Sequence, residues 1–468
     1  MILSETEIEK QKEYMDRVKG LNSIFQNKKY FLHTFGCQMN ENDSEKIAGM
    51  LRDMGYEATD TAAGCDLIIF NTCCVRENAE EKVYGHLGAL KKMHEDNPDL
   101  IIAVCGCMMQ QKTVQDEIRR KYRHVDLVFG THNLYKLPEL LFDVIESRKN
   151  IIDVWDSAGS IVEGLPIERE STVKAWVTIM YGCDNFCTYC IVPYVRGRER
   201  SRTPSDIVRE IEFLVSGGVK EVTLLGQNVN SYNGGGLLFP DLLKLINNIE
   251  GLERVRFMTS HPKDISLDLI KAIKELDKVC KQLHLPVQSG SSRVLKEMNR
   301  KYTKEHYLDL INIVKNEVPE ITLSTDIIVG FPGETEADFL DTLDVVERSC
   351  FDMAYTFIYS KRTGTPAALY EKQVPEDVVK ERFDRLVELQ TVISRRLNEP
   401  LLNAEVAVLC EGVSKSNPDR LTGRTDGNKI VNFAMPACGD ELKGKMVVVK
   451  IESVGTWSLD GSVVQVLG

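Results

Sequence analysis

From Lys29 to Leu397 the chain alternates short, unbroken apolar runs with helix-length amphipathic stretches, and this alternation restricts the available folds more than any other feature. The runs KYFLHTF, CDLIIF, LIIAVC and VDLVFG are β-rich and continuous, as expected of strands buried on both faces. SEKIAGMLRDM, ENAEEKVYGHLGALKKM and VQDEIRRKY lie between them with helical length and periodicity. Strand and helix in turn predict an open, doubly wound parallel sheet over residues 29–150. Residues 1–28 read as a charged helical extension. Over residues 151–172 the periodicity fails in DSAGSIVEGLPIERES, so this stretch reads as a linker.

Alternation resumes over residues 173–400. KAWVTIM, EVTLLG, RVRFMT, QLHLPV, TLSTDIIVG and MAYTFIYS read as strands, with helices from Pro204, from Pro240, near Leu267 and over Pro375–Leu397. That succession predicts a partial or complete α/β barrel with its chemistry at the C-terminal strand ends. Over residues 401–468 helices vanish. EVAVLCEGV, RLTGRT, KIVNFAM, KMVVVKIESVG and SVVQVL, with turn dipeptides such as Asp426-Gly427 and Asp460-Gly461, predict a small antiparallel β-barrel. The fold class is α/β with this β-barrel appended.

A length of 468 residues suits roughly three domains. Hydrophobic residues at 43% and charged residues at 27% are ordinary for a globular chain. No stretch has the apolar length to span a bilayer, and MILSETEIEKQKEYMDRVKG has no apolar signal core. The expectation is a cytoplasmic monomer with no membrane partner. A net charge of -12 decides nothing about nucleic acid, because a local basic patch suffices. Thirteen cysteines, an odd number in a reducing compartment, argue against a disulfide framework.

YGCDNFCTYC sets Cys183, Cys187 and Cys190 in a C-x3-C-x2-C run directly after a strand. A structural zinc site needs four ligands, and no fourth Cys or His lies nearby. Three thiolates suit a [4Fe–4S] cluster with one iron open to an exogenous chelator. Zinc or three incidental thiols are the alternatives. Phe186 and Tyr189 between the ligands either flank a bound ring or shield the site.

Cys37, Cys73 and Cys107 are far apart in sequence, yet each follows a predicted parallel strand. Open sheets bind ligands in that crevice, so the three thiols either converge on one site or are buried thiols. Cys65, Cys74, Cys105, Cys280, Cys350, Cys410 and Cys438 read as structural, with Cys74 turned away from Cys73. Arg196, Arg198, Arg200 and Arg202 form the densest basic segment near the cysteine run, as phosphate contacts or as a solvated, salt-bridged face. Arg196 is also suited to gripping a cofactor carboxylate.

FGCQMNENDSEK, IIFNTCCVRENAEEK, VCGCMMQ and the C-x3-C-x2-C loop resemble the radical S-adenosylmethionine (SAM) methylthiotransferase family, and YVRGRERSR, LLGQNVNSYN, LHLPVQSGSSRVLKEMNRKYT, TDIIVGFPGETE and YSKRTGTPAA continue the likeness. RLTGRTDGNKIVNF resembles a TRAM domain, a small RNA-binding barrel. The resemblance covers about Lys29 to the C-terminus. It implies two [4Fe–4S] clusters, one on Cys183, Cys187 and Cys190 that binds SAM and an auxiliary one on Cys37, Cys73 and Cys107. It implies that one SAM donates a methyl group and another yields a 5′-deoxyadenosyl radical. The residues around Cys37 and Cys73 resemble the branch that adds methylthio to C2 of an isopentenylated adenosine beside the tRNA anticodon. A ribosomal-protein aspartate is the alternative substrate, and a non-catalytic RNA-binding or cluster-storage role the alternative class. Flavodoxin or ferredoxin is implied as electron donor. Gly217, Gly218, Gln227, Asn228, Asn230, Ser260, Gln288 and Asp326, with Phe186 and Tyr189, are expected to line the SAM and substrate cavity. Arg420, Arg424, Lys429 and Phe433 are the expected RNA face of the terminal barrel, although that region is slightly acidic.

Overall fold

The computed structural model describes residues 5–24, 28–74, 77–156, 161–169, 171–434 and 442–467. They form two compact bodies: Met1–Glu170 with Tyr181–Asp184 and Cys190–Arg202, and Ser171–Met180 with Asn185–Tyr189 and Thr203–Gly468.

In the first body a helix, α1 (Glu5–Ile24), precedes a sheet of β1 (Lys29–Thr34), β2 (Glu57–Ala58), β3 (Leu67–Thr72), β4 (Ile101–Gly106), β5 (Leu127–Phe129) and β6 (Ile151–Asp153). All neighbours are parallel, in the order β2-β1-β3-β4-β5-β6. Every residue of β3 and β4 is buried, which accounts for their unbroken apolar runs. Leu67 and Ile69 face a core with α2 (Gln38–Asp53) and α5 (Leu137–Ser147). Ile68 and Phe70 face the opposite core with α3 (Glu77–Asp96) and α4 (Lys112–Lys121). After β1 the chain steps outward to β2 and then back across to β3. The crevice at the C-terminal ends of β1 and β3 is therefore the topological switch point.

The stretch expected to be a linker begins instead with β6, whose three-residue length gives no readable period. Farther on, the Glu168 amide donates to the Glu45 carbonyl at 2.9 Å, and a Cβ on Gly49 would meet the Pro166 carbonyl at 2.5 Å. The segment is fastened to α2. The expected N-terminal extension is likewise integral, with Asn22 donating to the Met54 carbonyl and Lys10 paired with Glu139.

The second body opens with two parallel sheets. One has the order β9-β8-β7, with β7 (Lys174–Thr178), β8 (Glu221–Leu225) and β9 (Arg254–Phe257); the other runs β10 (Gln282–His284), β11 (Thr322–Val329), β12 (Met353–Ile358). A single parallel bridge, Val255 to Val279, joins them, and among the described residues no ladder connects β12 to β7. The barrel is partial. Val222, Leu224, Val255, Phe257, Leu283, Leu323 and Ile327 pack into the apolar core with the helices α6 (Pro204–Ser216), α7 (Phe239–Asn247), α8 (Leu267–Glu275), α9 (Lys304–Glu317), α10 (Glu336–Ser349) and α11 (Glu376–Asn398). The other strand face is polar, carrying Glu221, Arg254, Arg256, Gln282, His284, Ser324 and Asp326. Thr203, Ser266, Thr303 and Thr335 each cap the helix that follows by accepting a first-turn amide.

The remaining strands, β13 (Glu405–Val413), β14 (Arg420–Thr425), β15 (Ile430–Ala434), β16 (Met446–Val454) and β17 (Ser458–Leu467), close a barrel in the order β13-β14-β15-β17-β16. The barrel is antiparallel as expected except at one seam, where β15 and β17 are parallel. A closed ring of five strands cannot alternate direction all the way round, so one parallel pair is obligatory. Asp460-Gly461 is not a turn either. It lies inside β17, where a Cβ on Gly461 would meet the Lys450 carbonyl at 2.1 Å. The hairpin turns instead at Gly455, whose amide donates to the Ser458 carbonyl. This barrel caps the N-terminal ends of the β8–β11 strands. Arg254 donates to the Arg424 carbonyl at 2.6 Å, Arg256 to the carbonyls of Thr425 and Asp426, and the Lys281 amide to Asp426.

Candidate functional site

Three thiols gather at the switch point of the first body. Cys37 is the N-cap of α2, Cys73 follows β3, and Cys107 opens a 3₁₀ turn after β4. Gly36, at φ +134°, allows the close approach, since a Cβ there would lie 2.5 Å from Cys73 Cβ. Asn40 and Asn71 lock the two strand ends: Asn40 donates to Asn71 Oδ1 and the Thr72 carbonyl, and Asn71 to the Asn40 carbonyl and Ser44. The Cys37 thiol is pulled down to about 5 by a hydrogen bond from Cys73, then by Arg196 and the first amides of α2. Cys107 is also lowered, by a hydrogen bond from Cys74 and by Arg196, against the cost of burial.

Cys74, expected to be a structural thiol turned away from Cys73, brings its thiol to Cys107, and that contact together with burial keeps it protonated. Cys65 and Cys105 are buried thiols held up by desolvation. Cys438 lies outside the described residues. No group of three His, Cys, Asp or Glu among the described residues is spaced for a single metal ion. Three thiols on separate strand ends, two of them with lowered pKa, suit a larger body, such as an iron–sulfur cube, better than zinc.

In the second body, Cys187 is buried and faces Arg300, whose Nη1 lies 3.6 Å from its sulfur. Arg300 also donates to the Tyr302 hydroxyl at 2.8 Å and the Pro286 carbonyl at 2.9 Å. Asn299 donates to the carbonyls of Asn185 and Phe186, and Phe186 holds φ at +47°. Tyr189 packs on the apolar group Val294, Met298, Phe331 and Ala367. That placement favours shielding over ring stacking. Cys183 and Cys190 are half-buried in the first body, where the Cys183 amide donates to the Gly197 carbonyl.

The strand-end residues divide. Asn228 follows β8 and donates to Asp264 at 2.7 Å, while Asn230 exchanges hydrogen bonds with the backbone of His261. Ser260 is buried just after β9, and Gln288, at φ +67°, bridges to β11 beside Asp326. Gln227 is half-buried between β8 and Asn228. All five stand at or near C-terminal strand ends, whereas Asp326 lies within β11, 3.5 Å from His284 on the polar face. Burial drives the His261 imidazole down to about 2, with Arg300 and Lys263 adding to the effect. Gly217 and Gly218 do not join this group. They form the turn between α6 and β8, at the N-terminal end of the strand, where the glycines serve the backbone alone.

The arginine segment also departs from expectation. Arg196 is 4% exposed, with Nη2 2.9 Å from Asp43 and Nε donating to Cys107 at 3.0 Å. Burial opposes its charge, but Asp43, Cys107 and Cys37 outweigh it and raise the group well above the usual value. Arg202 is buried in a bidentate pair with Glu163 at 2.6 Å. Both guanidiniums are buried in ion pairs rather than presented to solvent. Arg200 lies over the Tyr181 ring, and only Arg198, with a 71% exposed side chain beside Asp184, faces solvent broadly. In the terminal barrel Phe433 is fully buried in the core, so it stacks on no base. Lys429 is tied to Asp352 and Asn398, Arg424 to Glu411, and Arg420 to Asp460. The site residues that the sequence reading missed, Asp43, Asn299 and Arg300, lie inside the family-like runs FGCQMNENDSEK and LHLPVQSGSSRVLKEMNRKYT, but act through partners remote in sequence, so the runs alone gave them no role.

Comparison with known proteins follows the same divisions. Residues 177–346 match the Radical SAM superfamily, 401–464 the TRAM domain, and 29–130 the uncharacterized protein family UPF0004. Two structures of the radical SAM methyltransferase TsrM from Kitasatospora setae share the fold. One, with cobalamin and a [4Fe-4S] cluster bound, has a TM-score of 0.55 at 14% identity over 74% of each chain. The other, with tryptophan and a SAM analogue bound, has a TM-score of 0.54 at 13% identity over 83% of this chain and 79% of that one. Together these define a radical SAM protein with a TRAM barrel. The tRNA-2-methylthio-N(6)-dimethylallyladenosine synthase of Acetivibrio thermocellus is 59% identical, covering 99% of this chain and 98% of its own, and that of Clostridioides difficile is 56% identical over 98% and 97%. The chain belongs to the family of tRNA-2-methylthio-N(6)-dimethylallyladenosine synthases.

Proposed function

We propose that this protein is a tRNA methylthiotransferase that replaces the C2 hydrogen of N6-isopentenyladenosine beside the anticodon with a methylthio group. The observation that carries the reading is full-length identity of 59% to a synthase of that name. Convergence of Cys37, Cys73 and Cys107 at the switch point supports it. When bound, the two [4Fe–4S] clusters and SAM supply the radical, the sulfur and the methyl group.

The protein holds and shields them. Cys183, Cys187 and Cys190 are the ligands of the SAM-binding cluster, with Arg300 against Cys187 and Tyr189 helping to keep water out. Cys37, Cys73 and Cys107 hold the auxiliary cluster. Asn228, Asn230, Ser260, Gln288 and Asp326 line the SAM and substrate cavity, and Arg198 is the phosphate contact. The functional divisions are residues 29–150, 173–400 and 401–468. A flavodoxin or ferredoxin supplies the electron, and the enzyme works as a cytoplasmic monomer; no helix among the described residues is long and apolar enough to cross a membrane.

Reconstituted protein, reductant, SAM and isopentenyladenosine-containing tRNA are incubated without oxygen, and the digested nucleosides are weighed by mass spectrometry. A methylthio gain on that adenosine is expected. Deoxyadenosine release without the gain would overturn the substrate assignment.

A further inference from the structure

Arg196 is a buried guanidinium aimed at a proposed cluster ligand. It lies at the end of a single helical turn, Val192–Val195, shortly after Cys190, and its Nε donates to Cys107 Sγ at 3.0 Å. Its Nη2 lies 2.9 Å from Asp43, and the two side chains are 5% and 8% exposed. A charge this deep is retained only when paired and hydrogen-bonded. The planar fork meets both demands at once, one edge on the carboxylate and one on the sulfur.

We propose that Arg196, clamped between Asp43 and Cys107, is a positioning residue that sets the reduction potential of the auxiliary cluster and keeps Cys107 ligated to it. The inference rests on the reading of Cys37, Cys73 and Cys107 as cluster ligands. Reduction of a cluster adds one negative charge. A nearby positive charge and a hydrogen bond to a ligand sulfur both favour the reduced form, and a nearby carboxylate opposes it. Arg196 and Asp43 therefore act on the cluster with opposite signs, which a purely structural pair would not do.

The test uses the full chain carrying Cys183→Ala, Cys187→Ala and Cys190→Ala, so that only the auxiliary cluster remains. Its midpoint potential is titrated by anaerobic electron paramagnetic resonance, alone and with each further substitution. Arg196→Gln is expected to move the potential negative, Arg196→Lys to move it less, and Asp43→Asn to move it positive. Arg196→Gln is also expected to lose iron to a chelator several-fold faster. Shifts of the same sign in Arg196→Gln and Asp43→Asn, or no shift beyond replicate scatter, would overturn the proposal. Should Arg196→Gln hold no iron, the sign of the Asp43→Asn shift decides alone. If the parent chain itself assembles no cluster, the ligand reading falls and this inference falls with it.

Discussion

Arg256 offers the sharpest test of how the terminal barrel is joined to the α/β strands. Its Nε lies 3.0 Å from Glu221, with both side chains under 6% exposed, and its fork reaches the carbonyls of Thr425 and Asp426 at 2.7 and 2.6 Å. Arg256→Met removes the cation and keeps much of the volume. Glu221 is then a buried, unpaired carboxylate, a loss of about 3–5 kcal/mol where one partner of a buried pair is deleted. The two carbonyls lose charge-assisted bonds, at about 1.5–3 kcal/mol each. The single variant should therefore lose about 6 kcal/mol or more, less whatever the barrels regain by shifting. Adding Glu221→Leu removes the stranded charge and should restore about 3 kcal/mol, leaving the carbonyl cost. Urea unfolding followed by tryptophan fluorescence measures all four corners of this cycle; Trp457, on the terminal barrel and half exposed, is one of three reporters. A loss below 1 kcal/mol in Arg256→Met, or no recovery in the double variant, would refute the claim that this buried pair fastens the terminal barrel.

Other outcomes follow from the same geometry. Phe433→Ala should cost about 3–5 kcal/mol of stability as a core deletion, measured by urea unfolding. Arg198→Gln should weaken tRNA binding while stability stays unchanged, with the slope of log affinity against log salt shallower by about one; filter binding at several salt concentrations reads this. His261 titrates near 2 when folded and near 6.5 when unfolded, so only the unfolded chain takes up a proton as the pH falls below 6.5. Its contribution is fully present above pH 6.5 and declines by about 1.4 kcal/mol per pH unit below it. Urea melts at pH 7 and 5 should show that loss, and His261→Asn should flatten it.

Much of this architecture was legible because burial on two faces leaves a plain trace. The runs LIIF and IIAVC have no polar alternate, and β3 and β4 have no exposed residue. Cys37, Cys73 and Cys107 were readable as strand-end residues, but their convergence depends on strand order, which local sequence does not carry. The arginines misled for a related reason. Arg202 is neutralised by Glu163, 39 positions away, and Arg196 by Asp43, farther still, so a basic run became two buried pairs. Gly217-Gly218 and Asp460-Gly461 show the other gap. The same residue types serve a helix-to-strand turn in one case and a close strand crossing in the other. Lys429 and Phe433 sit on one short strand-forming run, and only the closed barrel reveals that its alternation aims Phe433 inward.

The loop bearing Cys187 depends on a residue to which its sequence run assigned no role. Asn299 holds φ at +58° and donates to the carbonyls of Asn185 and Phe186 at 3.3 and 2.9 Å. Phe186 itself sits at φ +47°, a conformation that costs a non-glycine residue about 1 kcal/mol or more and persists only when its surroundings impose it. The Asn299 amide is that imposition. Two substitutions separate its roles, because glycine keeps the left-handed backbone while alanine loses both backbone ease and the amide. If the hydrogen bonds hold the loop, Asn299→Gly and Asn299→Ala should both release the SAM-binding cluster's iron to a chelator faster than the parent chain. Asn299→Ala should lose about 1 kcal/mol more stability than Asn299→Gly. Iron on the auxiliary cysteines should be unaffected in either. Parental iron retention in Asn299→Gly would mean that the loop keeps its shape without these bonds, and the strain at Phe186 would then need another source.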